Sequence, residues 1–446
     1  MTAPAVLDIA DRDPLTAFAP LAAEPFAVLL DGAAPGPQGR WAFVAADPRR
    51  TLTVRRGADA PPLAGVRDLL GPRRAPWPGP GPFAGGAIGF LGYELGGAFE
   101  RLPPPRPAWF PAETAFGLYD TFAVFDLIAR RAWVVDATGD ADAARCFAAR
   151  LGSGAQPARH FAPVRWSAMS GPADYRAKIG RIVDDIRAGD IFQANLTQQW
   201  RADWPAGLAP FDAYRALRAA APGPFAAFMA LPDNAAILTV SPERFLTVDA
   251  GGVVETRPIK GTRPRGRDAA EDAALARDLL ASAKDRAENL MIVDLLRNDL
   301  SRVCAAGSVT VPQLCGLETF AAVHHLVSVV TGRLRPGRDA LDLLAACFPG
   351  GSVTGAPKIR AMEIIAELEP VARGPYCGAL AWLGYDGAMD SAILIRTLIK
   401  SGALAVAQAG GGIVADSIAA DEYQEVLTKA RPLLAALGGM ATDFVD

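Results

Sequence analysis

The sequence predicts an α+β fold, in which strands and helices are mixed without the regular strand–helix alternation of a parallel sheet. Two observations support this class. Segments with apolar residues at helical spacing occur beside short apolar runs bounded by glycine, proline and aspartate, which is the pattern of strands. No internal repeat is found along the 446 residues.

The first part of the chain, residues 1–160, is rich in proline, glycine and alanine. Short apolar runs predict strands at 26–30 and 41–45. Residues 122–127 and 132–135 form a predicted hairpin with its turn at 129–131. The stretch 152–170 is predicted to connect this region to the rest of the chain.

The second part, residues 170–440, contains longer helical patterns. Helices are predicted at 173–188, at 268–303 in two pieces, at 357–368 with a proline at an early position, and at 420–437. Strands are predicted at 193–200, 236–240, 245–248, 379–383 and 392–399. The Asp-Ala-Gly-Gly sequence after Val248 suits a hairpin turn.

Composition excludes several functional classes. The net charge is −3 and no basic run stands out, which argues against nucleic-acid binding. No uninterrupted apolar run reaches about 18 residues, so no membrane span is predicted. The N-terminus shows no basic stretch followed by an apolar one, and five cysteines lack paired or zinc-type spacing. These features indicate reduced thiols in a cytoplasmic protein.

Lysine is rare in this chain. Of the 45 cationic residues only six are lysine, at positions 178, 260, 284, 358, 400 and 429. Arginine cannot deprotonate and act as an amine nucleophile, whereas lysine can. Each lysine is therefore a candidate for amine chemistry, although a surface location is the simpler interpretation of any one of them.

Lys260 lies in a loop-like segment that reads TRPIKGTRPRG. Gly261 allows backbone to approach a ligand closely, and Thr262 adds a hydroxyl and an amide. Taken alone, the segment would be interpreted as a basic surface loop.

Three carboxylates and a glycine run offer complementary chemistry. Glu288 lies near the start of a helical segment, and Glu422 and Glu425 fall three apart on one helix face. Such an acidic pair alone is usually solvated surface, but three carboxylates from separate segments suit Mg²⁺. The glycines 410–412, expected before a strand or turn, would turn backbone amides toward an anion.

The segment 349–369 predicts a further anion-binding site. Small residues through Ala356 and the proline that follows mark a helix N-terminus against a tight loop, where free amides and the helix dipole favour an anion. Tight turns need the same residues, so the signal is weak by itself. The pattern is not a phosphate-binding P-loop, because its lysine follows Gly-Ala-Pro and not a second glycine.

Together these blocks resemble the chorismate-utilising enzyme family. The similar segments, in the family's order, read GDIFQANLTQ, SPERF, PIKGT, KDRAENLMIVDLLRND, GGSVTGAPKIRAMEIIAELEP, MDSAILIRTL, AGGGIVADS and EYQE, and they span roughly residues 170–440. GGAIGFLGYEL and GRWAFVAADP extend a weaker resemblance into residues 1–160. The resemblance implies an α/β sandwich of two stacked antiparallel sheets with outer helices, in which the two regions interleave as one unit.

The resemblance also implies a reaction. Members that make anthranilate are expected to read PIAGT where this chain reads PIKGT, so Lys260 marks the branch that aminates chorismate at C4 and related branches that do not make anthranilate. The product would be 4-amino-4-deoxychorismate, for 4-aminobenzoate and folate synthesis. Lys260 would attack the ring covalently, and Glu243 would protonate the leaving hydroxyl. An ion pair with a nearby arginine is the simpler interpretation of Glu243.

Other site residues are carried over from matching family positions. Mg²⁺ would be held by Glu288 and Glu425, with Glu422 close by. His325 falls at an active-site position, although a packed, hydrogen-bonded histidine is the alternative because His324 and His325 lie in an apolar run. Substrate-binding positions match Gly261, Thr262, Thr354, Tyr376, Arg396, Gly410, Gly411 and Gly412.

The resemblance implies a partner and leaves two alternatives. No Gly-x-Cys-x-Gly elbow with a downstream His-x-Glu occurs, so ammonia is expected from a separate glutaminase subunit. Leu30-Asp31-Gly32 replaces the Leu-Glu-Ser element of anthranilate-forming relatives, which puts tryptophan feedback in doubt and leaves the persistence of a tryptophan site open. The alternatives are anthranilate or isochorismate formation, and an inactive regulatory subunit; intact Lys260 and Glu243 argue against the latter.

Overall fold

The computed structural model describes residues 3–34, 36, 38–55, 62–104, 106–154, 161–320 and 323–439. Over these residues the chain forms two stacked antiparallel sheets, one of 12 strands and one of 10, with helices packed outside. The predicted fold class is confirmed. No helix in the described ranges is both long and apolar enough to cross a membrane.

The first sheet contains strands from the whole length of the chain. In spatial order they are β1 (Ala5–Ile9), β8 (Arg131–Asp136), β7 (Thr121–Asp126), β3 (Trp41–Ala45), β2 (Val28–Asp31), β11 (Phe225–Leu231), β12 (Ala235–Ser241), β21 (Thr397–Ser401), β22 (Leu404–Ile413), β10 (Gln193–Asp203) and β18 (Gly355–Ala356), with β9 (Ser167–Ala168) also paired to β10. Strands from residues 1–160 and from 170–440 therefore lie side by side, since β2 pairs with β11.

The second sheet is mixed in the same way. Its spatial order is β15 (Ile259–Pro264), β17 (Val323–Arg333), β14 (Val253–Thr256), β13 (Arg244–Val248), β20 (Met389–Ile393), β19 (Ala379–Gly384), β5 (Gly86–Leu91), β6 (Thr114–Tyr119) and β4 (Arg50–Val54), with β16 (Thr310–Thr319) also paired to β17. Here the early strand β5 pairs with the late strand β19.

Helices cover the outer faces of both sheets. They are α1 (Pro14–Phe18), α2 (Pro62–Leu70), α3 (Ala141–Arg150), α4 (Pro172–Arg187), α5 (Pro210–Ala220), α6 (Ala269–Ala281), α7 (Ala283–Ser301), α8 (Ala340–Cys347), α9 (Lys358–Leu368) and α10 (Ala419–Ala435). Short 3₁₀ turns occur at Ala19–Leu21, Tyr93–Ala98 and Gly351–Val353.

Two apolar cores follow from the alternation of side chains along the strands. Val28 packs in the core between the sheets, whereas Leu29 packs in the core between the first sheet and its helices. Successive side chains of a strand point to opposite faces, so one strand can serve both cores. The first sheet is therefore buried on both sides along most of its strands.

Several local predictions are confirmed. The turn at 129–131 joins β7 to β8, and the turn after Val248 joins β13 to β14, with the Asp249 carboxylate accepting from the amides of Gly251 and Val253. The helix predicted at 268–303 is two helices, α6 and α7, because Ser282 ends the first and caps the second.

Two predicted elements were wrong in detail. The single strand at 392–399 is two strands, because β20 ends at Ile393 in the second sheet and β21 begins at Thr397 in the first. The chain crosses between the sheets here, and Arg396 adopts a positive φ of 49°. The helix predicted from 357 begins at Lys358, with Pro357 as its N-cap. The connector at 152–170 lies partly outside the described residues.

Candidate active site

The predicted catalytic residues gather in a cleft bordered by both sheets. Lys260 lies on β15 at one edge of the second sheet, with α7 packed against that strand. The glycines 410–412 lie on β22 of the first sheet, against which α10 packs. Lys260 interacts electrostatically with Glu243, Glu288 and Glu425, which places carboxylates from three separate segments around one amine.

Lys260 is a lysine without a contact partner. Burial lowers the pKa of its ammonium group, and the carboxylates of Glu288 and Glu243 only partly oppose this. Within the described residues the side chain makes no ion pair or hydrogen bond. The amine of Lys260 therefore becomes neutral at a lower pH than that of an ordinary surface lysine.

The residue after Lys260 must be glycine. Gly261 has a φ of 82°, and a Cβ atom at this position would lie 2.9 Å from the side chains of Asp285 and Leu279. The bend it allows aims Thr262 at the neighbouring strand. Thr262 Oγ1 lies 2.9 Å from His325 Nδ1.

His325 and His324 have different roles because they alternate across β17. Burial and the nearby Arg396 cation lower the pKa of His325 to about 4, so its imidazole is neutral near pH 7 and serves as a hydrogen-bonding group to Thr262. His324 instead lies 2.8 Å from Thr319 Oγ1 and 3.0 Å from Asp272 Oδ1. The packed, hydrogen-bonded alternative thus describes His324 well.

Glu243 lies immediately before β13 and is only 7% exposed. Burial raises the pKa of its carboxyl, against hydrogen bonding from Ser352 and the charges of Lys260 and Lys429. The neighbouring Arg244 binds Asp390 at 2.8 Å, so it is not the partner of Glu243. A carboxyl with a raised pKa beside an amine is suited to donate a proton.

The proposed metal ligands lie on α7 and α10. Burial raises the pKa of Glu288, and the charge of Glu422 raises it further. Glu422 is buried and accepts a 2.7 Å hydrogen bond from Ser417 through Oε1. Burial acts to raise the pKa of Glu425, but Lys429 at 2.6 Å outweighs it and the net shift is downward.

These carboxylates fit a hard divalent cation that shares its coordination with a ligand. Nowhere in the described ranges do three acidic, histidine or cysteine side chains converge as a preformed cluster. Mg²⁺ needs only one or two protein carboxylates, because waters and an anionic substrate fill its remaining positions. Such an ion would offset the burial and the neighbouring negative charge that raise the pKa of Glu288.

The glycine run lies within β22, not before a strand or turn, which corrects the prediction. Gly410 and Gly412 oppose Thr197 and Asn195 of β10. The amides of Asn195 and Thr197 donate away from β22, to Thr354 O at 2.8 Å and to Glu369 Oε1 at 2.9 Å. These are therefore non-hydrogen-bonded pairs, and the amides of Gly410 and Gly412 point away from β10.

Both amides remain available to an anion. Pairing between β21 and β22 ends at Leu398 and Ala407, short of the glycines. A Cβ atom on Gly410 would lie 2.6 Å from Leu196 O, so the close approach of β10 and β22 requires glycine. The predicted anion-binding amides are present, but in a strand and not in a turn.

Arg396 lies at the crossover between the sheets. Solvent reaches its side chain, but protein surrounds it in the cleft and burial lowers its pKa. Among the described residues its guanidinium has no hydrogen-bond or ion-pair partner. A guanidinium in this state can grip a carboxylate bidentately.

Tyr376 and Thr354 lie at the buried end of the cleft walls. Tyr376 is 3% exposed, and burial raises the pKa of its hydroxyl well above the usual value. The Thr354 hydroxyl donates to Gly350 O at 3.0 Å. Thr354 therefore shapes the loop that contacts β10, and its hydroxyl is already used there.

Two residues of the cleft were missed from the sequence. Gln193 is fully buried, neither of its amide atoms has a partner in the described part of the chain, and a Cβ atom on Gly412 would lie 3.0 Å from it. Lys429 binds Glu425 and donates to Gly410 O at 3.1 Å. The scarcity of lysine could have singled out Lys429, whereas nothing in the sequence distinguishes Gln193 from other glutamines.

A separate cavity of about 510 Å³ lies between the sheets near Leu30. Its lining includes Trp41 and Arg244. Asp31, which also lines this cavity, pairs with Arg218 and accepts a hydrogen bond from Tyr214 at 3.1 Å. Its carboxylate is thus bound to α5.

Comparison with known proteins places these features in context. A family profile described as chorismate binding enzyme matches residues 27–435. Aminodeoxychorismate synthase component 1 of Klebsiella aerogenes is 43% identical over 433 residues, covering 94% of this chain and 95% of the relative. Anthranilate synthase component 1 of Streptomyces coelicolor is 41% identical over 449 residues, covering 95% and 86% respectively.

A solved structure shows a closely similar fold. Anthranilate synthase component I from Streptococcus pneumoniae TIGR4 superposes with a TM-score of 0.78 at 34% identity, covering 89% of this chain and 92% of that one.

Proposed function

The chain belongs to the chorismate-binding enzyme family, and on that basis we propose that it aminates chorismate at C4 to 4-amino-4-deoxychorismate. The observation that carries the proposal is Lys260, a partnerless amine with a lowered pKa beside Glu243. Similarity to aminodeoxychorismate synthase component 1 supports the same reaction.

The proposed chemistry uses Lys260 as nucleophile and Glu243 as acid. The neutral Lys260 amine attacks a ring carbon conjugated with C4, and the shifting double bonds expel the C4 hydroxyl as water once Glu243 has protonated it. Ammonia then attacks C4, and the reverse shift releases the Lys260 amine. Chorismate and ammonia give the amino product and water.

Substrate orientation would come from cationic groups and free amides. The substrate carries two carboxylates, which Arg396 and the outward amides of Gly410 and Gly412 are placed to bind. Thr262, fixed by His325, would add a further donor. Glu288 and Glu425, with Glu422 close by, would hold Mg²⁺, which when bound supplies positive charge to a substrate carboxylate.

Ammonia would come from a separate glutaminase subunit. The similar proteins are named component 1, which implies a partner component. The partnerless Gln193 amide in the cleft wall could accept a hydrogen bond from ammonia, which needs to be held near C4.

Anthranilate formation is the second candidate, favoured by the 41% identity to an anthranilate synthase. The two reactions differ in the ring carbon that receives nitrogen, which is C2 for anthranilate and C4 for the proposed product, and in whether the enolpyruvyl group then leaves as pyruvate.

The test is incubation of the purified protein with chorismate, Mg²⁺ and ammonium, followed by mass identification of the product. We expect a nitrogen-containing product that retains the enolpyruvyl group, with no pyruvate. Release of anthranilate and pyruvate would show that the protein forms anthranilate and would overturn the proposed reaction. A nitrogen-free isomer of chorismate would indicate isochorismate formation. A folded protein that leaves chorismate unchanged would support the regulatory alternative.

Glutamine provides a second arm of this test. Glutamine should replace ammonium only after a glutaminase subunit is added. Glutamine-dependent product from the chain alone would overturn the expected partner.

A further inference from the structure

Arg373 is an arginine whose guanidinium is completely enclosed. It is 1% exposed and lies five residues beyond the end of α9, in the segment that leads to Tyr376. Its Nε and one terminal nitrogen bind the Glu369 carboxylate at 2.9 and 2.7 Å, and its face lies 4.4 Å from the ring centroid of Tyr93. The pair is therefore held in one geometry.

The remaining donors reach two different walls of the cleft. One terminal nitrogen donates to Val353 O at 2.8 Å and the other to Asn195 O at 2.6 Å. Val353 precedes Thr354 in the loop that contacts β10. Asn195 lies on β10 opposite Gly412. A single guanidinium thus sets the distance between the Thr354 loop and the glycine-bearing strand pair.

The backbone around Arg373 extends the same network. Gln408, on the strand of the glycines, donates to Arg373 O at 2.7 Å, and Glu94 accepts from the Arg373 amide at 2.7 Å. Four residues on, the amide of Cys377 donates to Leu394 O at 2.9 Å, beside the crossover that carries Arg396. Hydrogen bonds therefore link Arg373 to the strand pair that carries the glycines, and its segment to the crossover that carries Arg396.

Stability alone does not account for such a pair. A buried ion pair can often be replaced by apolar residues without loss of stability, because the desolvation of two charges offsets their attraction. What the guanidinium supplies is a planar fork with donors in fixed directions, which lysine cannot reproduce. The arrangement is best explained by the geometry it imposes on its acceptors.

We propose that Arg373, oriented by Glu369, is a positioning residue that fixes the substrate-binding walls formed by the Thr354 loop, β10–β22 and the Tyr376 segment. This inference rests on the proposed function, since it assumes that these walls bind the two carboxylates of chorismate. Arg373 itself does not contact the substrate.

The test compares Arg373→Lys with Arg218→Lys. Arg218 also pairs with a buried carboxylate, that of Asp31, but on α5, and none of its partners belongs to the cleft. Chorismate affinity is measured by calorimetry without ammonium, and KM and kcat with ammonium as nitrogen donor. Thermal unfolding is recorded for both variants.

Arg373→Lys should weaken chorismate binding at least about tenfold, because displacements well under 1 Å are costly in such sites. KM for chorismate should rise in parallel while KM for ammonium stays unchanged. Arg218→Lys should lower the melting temperature but keep the parental Kd. Glu369→Gln removes the carboxylate that orients the Arg373 guanidinium but keeps the cation, so it should also raise the Kd for chorismate. This variant provides the test if Arg373→Lys does not fold.

Parental chorismate affinity in a folded Arg373→Lys or Glu369→Gln protein would overturn the inference and leave Arg373 a stability element. If the parent instead releases anthranilate, the proposed reaction fails, but the comparison of chorismate Kd values still decides the role of Arg373.

Discussion

Two buried lysines lie in contrasting environments within this molecule. Lys358, at the start of α9, binds Asp299 of α7 at 2.6 Å and Cys347 O of α8 at 2.8 Å. Lys260, on β15, lies among carboxylates but contacts none of them. Both residues belong to the same set of six lysines.

The comparison shows that the scarcity of lysine in the sequence does not by itself identify a lysine with amine chemistry. Lys358 makes short bonds to a carboxylate and a carbonyl, and it thereby joins three helices. A buried ammonium without such bonds has a lowered pKa and is available as an amine. The two residues are of the same type, and the contacts of each amine separate the structural lysine from the chemical one.

The largest expected effect is on turnover at Lys260. Lys260→Arg keeps the charge but cannot supply a neutral amine, so kcat should fall by about 10⁴-fold or more, as expected when a covalent nucleophile is removed. Lys260→Ala recreates the loop expected in anthranilate-forming relatives; it should lose the native reaction and could recover some turnover by direct attack of ammonia. Product formation is measured under saturating ammonium.

Lys358→Arg is the matched control, since it changes a buried lysine outside the cleft. Near-parental product from Lys260→Arg would show that Lys260 is only an electrostatic contact and that the covalent route is wrong.

The second prediction concerns the carboxylates near Lys260 and the carboxylate that binds Lys358. Glu288→Gln and Glu425→Gln should each abolish Mg²⁺-dependent turnover, because neutral amides hold the ion poorly. Asp299→Asn, the partner of Lys358, should leave the Mg²⁺ concentration for half-maximal activity unchanged. Activity of either glutamine variant in the presence of a chelator would remove these residues from the metal site.

The sequence predicted the sandwich and most of the cleft residues because ordered blocks of the family carry them. It could not predict the crossover at 394–396, since SAILIRTLIK is largely apolar and the polar pair Arg396 and Thr397 is also compatible with one continuous strand. It misjudged the glycines 410–412, because glycine is depleted in strands and usually indicates a turn.

Contacts that depend on tertiary structure were also out of reach. The Glu369–Arg373 pair resembles a solvated charge pair at helical spacing, and only the packing of Tyr93 and β10 buries it. Likewise, Gln193 becomes informative only once its amide is seen to be enclosed without a partner.

The third prediction is that substitutions of the two lysines change the free energy of unfolding in opposite directions. Lys358→Met leaves the Asp299 carboxylate buried and unpaired, so the free energy of unfolding should fall by about 3–5 kcal/mol. Lys260→Ala removes a buried cation that lacks a contact partner, so stability near pH 7 should rise by about 1 kcal/mol. Urea denaturation measures both changes. Destabilisation by Lys260→Ala would mean that its amine is held by contacts after all.

The smallest effect is the pH dependence of amine reactivity. Burial lowers the pKa of Lys260 from its usual 10.5, so the folded state holds this proton less tightly than the unfolded state. Stability contributed by the neutral amine is therefore absent below the folded pKa and gained as pH rises toward 10.5. Reaction with an amine-acetylating reagent should follow the neutral fraction and increase through the same window.

This final test separates the two environments without relying on catalysis. Peptide mass analysis after brief acetylation of the folded protein should show Lys260 modified at lower pH than the exposed Lys284, while Lys358 remains protected by its ion pair. Lys284, whose side chain is 56% exposed and lies 4.0 Å from Glu288, serves as the exposed reference amine near the same site. If Lys260 and Lys284 are acetylated over the same pH range, the cleft does not make the Lys260 amine more reactive. Lys260 and Lys358 would then differ only in how accessible their amines are to the reagent.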